Sequence, residues 1–223
     1  MKLVPDAPRA EHDLIIFDND GVLVDSEPLA LGTLIAMLGD LGWSVTLREA
    51  VDLFMGGSIQ RAADMASARG CTVPADFAAR FHDRLFESYR LELRPVEGVR
   101  QVLDALTRPY CVASSGSKAR VALALGLTGL LPSFEGRIFS ADDVAEGKPA
   151  PDLFLLAART MGVDPARCLV IDDSPLGIEA GNRAGMTTVG FSALMPPERL
   201  SAATAGVVHG MGELALRLAT DLA

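Results

Sequence analysis

The sequence predicts an α/β protein with a block of helices inserted after its first strand. Three observations carry this reading. Short apolar runs starting at Leu14, Tyr110, Cys168 and Thr187 have the length and two-sided hydrophobicity of buried parallel strands. From Pro95 onward, such runs alternate with helical segments. Between residues 28 and 94 the periodic segments are all helical, and none reads as a convincing strand.

The first strand, Leu14 to Phe17, stops at Asp18, Asn19, Asp20 and Gly21. Gly21 lets the chain leave in a conformation that a side chain would forbid. Two carboxylates are thus delivered to the carboxyl end of a buried strand, where open α/β sheets bind their ligands. Acids this close repel unless a cation or a shared proton intervenes, and the spacing favours a hard, oxygen-liganded metal such as Mg2+. Taken alone, Asp-x-Asp-Gly is equally an ordinary turn.

Residues 1–12 carry Pro5, Pro8 and mixed charges without periodicity and are expected to be a loose leader. Helical spacing then covers Pro28 to Leu41, Leu47 to Phe54, Ile59 to Arg69 and Asp76 to Glu92. Residues 28–94 are therefore expected to form a helical cap, with residues 13–27 and 95–223 as the core domain. The loop Gly56, Gly57 and Ser58 reads equally as a substrate-facing segment or as an interhelical turn.

The second strand, Tyr110 to Ala113, ends in Ser114, Ser115, Gly116 and Ser117. A helix follows, whose free amides and positive dipole end attract anions; standing alone, the stretch reads first as a simple helix cap by Ser117 and second as a phosphate cradle. Arg137 to Ser140 is a short third strand. Lys148 comes after it, just ahead of Pro149 and Pro151, which fix the backbone and start the next helix. A lysine pinned in this way can neutralise a phosphate and nearby carboxylates. The fourth strand, Cys168 to Ile171, again ends in acids, Asp172 and Asp173, before Ser174 and Pro175 open a helix. Thr187 to Phe191, a short strand at Gly206 to Val208 and a helix from Met211 to Ala219 complete the chain.

Composition limits the partners. With 223 residues and 49% hydrophobic content, the chain can bury a sizeable core. Its net charge of -9 disfavours nucleic acid and anionic membrane surfaces. Cys71, Cys111 and Cys168 lack the spacing of a disulfide or zinc frame, which suits a reducing compartment. No apolar run approaches a membrane helix, and the first residues lack a signal-peptide core. A cytoplasmic monomer is expected.

FDNDGVLVDSE resembles the first motif of the haloacid dehalogenase superfamily, in the branch that holds small phosphatases and β-phosphoglucomutase. Ser114, Lys148 and the Asp172–Asp173 pair follow in that superfamily's motif order. The resemblance implies a doubly wound parallel, Rossmann-like sheet with an inserted helical cap. It assigns Asp18 as the nucleophile that forms an aspartyl-phosphate, and Asp20 as general acid and base. It implies Mg2+ held by Asp18, the Asp20 carbonyl and Asp173, with Asp172 a direct or an indirect partner. Ser114 and Lys148, with backbone amides near Asn19 and Ser115, would hold the phosphoryl oxygens.

The expected activity is hydrolysis of a small phosphorylated metabolite, a sugar or polyol phosphate. Retention of Asp20 argues against a dehalogenase. A β-phosphoglucomutase is the alternative, yet Ala30 and Ile59 stand where that enzyme has a histidine and an arginine, with Arg61 as a substitute only for the latter. A phospho-receiver domain would place its acid pair first and lack a cap. A non-catalytic relative would not fill every one of these chemical positions.

Overall fold

The computed structural model describes residues 12–220. Six parallel strands form one sheet: β1 (Leu14–Phe17), β2 (Tyr110–Ser114), β3 (Ile138–Ser140), β4 (Cys168–Asp172), β5 (Thr187–Phe191) and β6 (Val207–Val208). Their order is β3-β2-β1-β4-β5-β6, so β1 lies in the middle and the winding reverses on either side of it. In a doubly wound sheet this reversal opens a crevice beyond the strands' carboxyl ends.

Alternate residues of each strand feed opposite faces. Ile15, Phe17, Val112, Leu169 and Ile171 belong to one buried cluster. Leu14, Ile16, Cys111, Ala113, Cys168 and Val170 belong to the other. The first face is covered by α5 (Val99–Ala105), α6 (Lys118–Leu127) and α9 (Met211–Thr220). The second is covered by α7 (Asp152–Met161) and α8 (Pro175–Arg183). Both faces are buried, which accounts for the unbroken apolar runs in the sequence.

Between β1 and β2 stand α1 (Glu27–Asp40), α2 (Leu47–Phe54), α3 (Ile59–Ala68) and α4 (Phe77–Glu92). Leu34, Leu38, Phe54, Phe81, Leu85 and Tyr89 pack these helices together, and their cluster runs without a break into the sheet's first face. The chain enters and leaves this block side by side: Val24 bridges Pro95, and the Asp25 amide donates to the Arg94 carbonyl at 2.9 Å. A second tie comes from the core, where Arg199 Nη2 donates to the Met55 carbonyl at 3.0 Å.

The predicted helices and strands stand within two residues of the observed ones. Four short 3-10 turns, at Leu131–Phe134, Ala141–Asp143, Pro165–Arg167 and Pro197–Leu200, carry no periodic signal and were not anticipated. The expected leader lies outside the described residues except for His12, which is buried. Among the described residues, no helix is long and apolar enough to cross a membrane. All three cysteines are free thiols.

Candidate active site

Three strand ends and one loop converge on a single cleft. Asp18 and Asp20 follow β1, Ser114 ends β2, Asp172 ends β4 with Asp173 just beyond, and Lys148 comes from the loop before α7. The parallel register places Phe17 beside Val112 and Ile171, so these side chains arrive at one level of the sheet.

Lys148 is the hub. Its Nζ donates to Asp18 Oδ1 at 2.7 Å, to Asp172 Oδ2 at 2.8 Å and to the Ala113 carbonyl at 3.0 Å. Its side chain is only 3% exposed. Burial alone would lower the ammonium's pKa, but Asp172 and Asp18 outweigh it and hold the value above the ordinary one. Asp172 accepts on its other oxygen from the Ser174 amide at 2.9 Å and hydroxyl at 2.7 Å. It is fully buried and stands behind Lys148, outside the cleft lining.

Asp18, Asp172 and Asp173 each offer a carboxylate oxygen within 4.8 Å of the others. Burial pushes Asp18 up to about 7; Lys148 pulls against that rise, and the charges of Asp172 and Asp20 add to it. Asp173 is raised well above the ordinary carboxylate value as well, first by burial and then by Glu27, Asp18, Asp172 and Asp20. The three clustered carboxylates, with Asp18 and Asp173 raised, are an all-oxygen set that fits a hard divalent cation such as Mg2+. The approach is tight: a Cβ on Gly21, whose φ is +74°, would overlap Asp173 Oδ2.

Asp20 faces elsewhere. Its Oδ2 accepts from Arg120 Nη2 at 2.7 Å and its Oδ1 from the Tyr89 hydroxyl at 3.2 Å. Its side chain does not join the three-acid cluster. The two acids of the first motif therefore occupy different surroundings, one beside a lysine and two further acids, the other clasped by an arginine and a tyrosine.

Ser114, Ser115, Gly116, Lys148, Asp173 and Ser174 line a cleft of about 320 Å³ together with Asp18 and Asp20. Ser114 Oγ accepts from the Gly116 amide at 3.0 Å, and Ser117 caps α6 by accepting from the Arg120 amide at 3.3 Å. Gly56, Gly57 and Ser58 line the same cleft from the cap side, so the loop between α2 and α3 faces the site. Asn19 is different: it is fully buried and outside the lining, and its side-chain amide has no hydrogen-bond partner among the described residues.

Residues 12–185 match the haloacid dehalogenase-like hydrolase family. The chain belongs to that family. It is 32% identical over 186 residues to the 6-phosphogluconate phosphatase of Escherichia coli (strain K12), a match spanning 81% of this chain and 83% of that protein. It is 31% identical over 177 residues to the fructose-1-phosphate phosphatase YqaB of the same organism, covering 78% and 94%. A haloacid dehalogenase-like protein of Agrobacterium tumefaciens superposes with a TM-score of 0.88 at 33% identity, covering 94% of this chain and 98% of that one. Family membership and the acid cluster support phosphoric monoester hydrolase activity in this haloacid dehalogenase-like hydrolase.

Three site residues escaped the reading of the sequence: Arg120, Tyr89 and Glu27. Arg120 and Tyr89 clasp Asp20, and Glu27 lines the cleft beside them. Burial and Asp20 raise Glu27 to about 7, against Arg120. The one signal available was Glu27's place, seven residues after Asp20 at the start of α1.

Proposed function

We propose that the chain is a Mg2+-dependent phosphatase acting on a small sugar or polyol phosphate through an aspartyl-phosphate on Asp18. The observation that carries this reading is the different setting of the two acids of the first motif, since nucleophile and proton carrier need separate environments. Lys148 keeps Asp18 turned into the cleft, and the Ser114 and Ser115 end of β2 faces it.

Asp18 attacks phosphorus as the ester oxygen departs, and Asp20 gives that oxygen a proton. Asp20 then takes a proton from water, whose oxygen attacks phosphorus and frees Asp18 and inorganic phosphate. Arg120 and Tyr89 hold Asp20 for both transfers. Lys148 offsets negative charge on the phosphoryl oxygens. Asp18, Asp173 and the Asp20 carbonyl would hold Mg2+, with Asp172 acting through Lys148. When bound, the ion offsets charge on the phosphoryl group and shields the nucleophile from it.

In this reading residues 28–94 are the cap, and residues 13–27 with 95–223 are the catalytic core. Ala30 and Ile59 line an adjoining cavity among the cap helices with hydrocarbon, giving a mutase no polar hold on a sugar. The test is a phosphate-release screen over sugar, polyol and nucleotide phosphates. A parallel assay supplies β-glucose 1-phosphate with a trace of the 1,6-bisphosphate. Phosphate release from a sugar or polyol phosphate is expected to dominate. Faster formation of glucose 6-phosphate would establish the mutase instead.

A further inference from the structure

The cleft continues into a second cavity of about 190 Å³ between the cap helices, and Glu27, Arg120 and the Gly56–Ser58 loop line both. The ester's leaving group must occupy this side, because Asp20, which serves it, is clasped by Arg120. The inner walls are Leu31, Leu34, Phe54, Ile59, Phe81 and Leu85.

Charge on this side is already committed. The acids lining the main cleft are Asp18, Asp20, Glu27 and Asp173, against Lys148 and Arg120. Lys148 is paired with Asp18 and Asp172, and Arg120 with Asp20. Arg61 is exposed and outside both linings, with its guanidinium against the outer side of the Gly56–Ser58 loop at Gly57. A Mg2+ ion would balance the surplus of acids, and the substrate's own phosphate would then restore a negative cleft. A second anion on the leaving group would meet the Glu27 carboxylate beside an Arg120 already paired with Asp20.

Glu27 and Arg120 also lack a hydrogen bond to each other, among the described residues, and Arg120 Nε is buried without a partner. A hydroxyl group can serve both side chains, accepting from the guanidinium and donating to the carboxylate.

Building on the phosphatase reading, we propose that Glu27 and Arg120 form a selectivity pair that takes phosphomonoesters of uncharged hydroxylated alcohols and rejects those carrying a second anionic group. Sites that hydrogen-bond a substrate hydroxyl discriminate strongly, because an ill-matched ligand leaves buried polar groups unpaired. The relative acting on 6-phosphogluconate, whose substrate carries a carboxylate, would therefore differ from this chain in selectivity.

Two matched pairs test the proposal: sorbitol 6-phosphate against 6-phosphogluconate, and glycerol 3-phosphate against 3-phosphoglycerate. In each, a terminal –CH2OH is replaced by a carboxylate. kcat/KM is measured on the Mg2+-loaded enzyme, and binding by calorimetry on Mg2+-loaded Asp18→Asn. The neutral member is expected to lead by about tenfold or more in both measurements. Glu27→Gln should shrink that lead to about threefold or less by improving the anionic member, while Glu27→Asp should keep it. Equal or tighter binding of the anionic members, or an unchanged lead in folded Glu27→Gln, overturns the proposal. Binding selectivity without phosphate release from any substrate, p-nitrophenyl phosphate included, would count against the phosphatase reading alone.

Discussion

The ammonium of Lys148 is joined to the carboxylate of Asp18 at 2.7 Å, although 130 residues separate them in the chain. The same ammonium binds Asp172, so one buried cation holds two strand ends together. Lys148→Ala is expected to lower kcat by about 10² or more, the scale of losing one transition-state donor. It should also destabilise the fold by about 3–5 kcal/mol, because two buried carboxylates lose their partner. Steady-state kinetics and urea unfolding check the two effects, and a stable, active variant would refute the hub role.

Asp18→Asn should abolish turnover while leaving the circular dichroism spectrum and the melting transition near wild type, since an amide cannot attack phosphorus. Asp20→Asn should be nearly as severe, and could trap a phosphorylated protein visible by mass spectrometry if the first step survives. More than a few per cent residual turnover in pure Asp18→Asn would remove Asp18 from the nucleophile's role.

Chelation should silence the enzyme and added Mg2+ should restore it. Ca2+ should inhibit, because its larger and looser shell would misplace Asp18 relative to phosphorus. Full activity after exhaustive chelation is the outcome that contradicts this.

The acid cluster also sets a pH signature for stability. Asp18 and Glu27 move from ordinary values of 3.8 and 4.5 to about 7 in the fold, and Asp173 moves in the same direction. The metal-free native state thus binds more protons than the unfolded chain between those values, and its stability falls as pH rises across that window. Melting temperature in a chelator should therefore drop from pH 5 to pH 8. Mg2+ should flatten the decline and stabilise most at the alkaline end. A melting temperature that climbs with pH in the chelator would contradict the raised values.

The chemistry placed at strand ends was legible because a buried apolar run that stops at an acid, a serine or a Pro-flanked lysine leaves few alternatives. Asp18, Ser114, Lys148 and Asp173 meet in the structure for that reason. The partners of Asp20 were not legible. Arg120 follows Lys118 on an otherwise ordinary helix, and Tyr89 sits among the charges of α4, so neither looks different in sequence from a solvated residue or a packed ring. What singles them out is their meeting at β1's end, Tyr89 from the inserted helices and Arg120 from α6 of the core, a contact between segments far apart in the chain.

The central position of β1 bears on how the protein is made. Its partners on either side are residues 110–114 and 168–172. A chain emerging from the ribosome as far as α4 already holds the four helices that pack on one another, yet its Leu-Ile-Ile-Phe strand has no neighbour to pair with. Such long-range pairing is slow to form and leaves an apolar edge exposed meanwhile. Fragments ending before β4 should therefore retain helical content but aggregate through their own beginning, and the growing chain depends on its later half to protect its first strand.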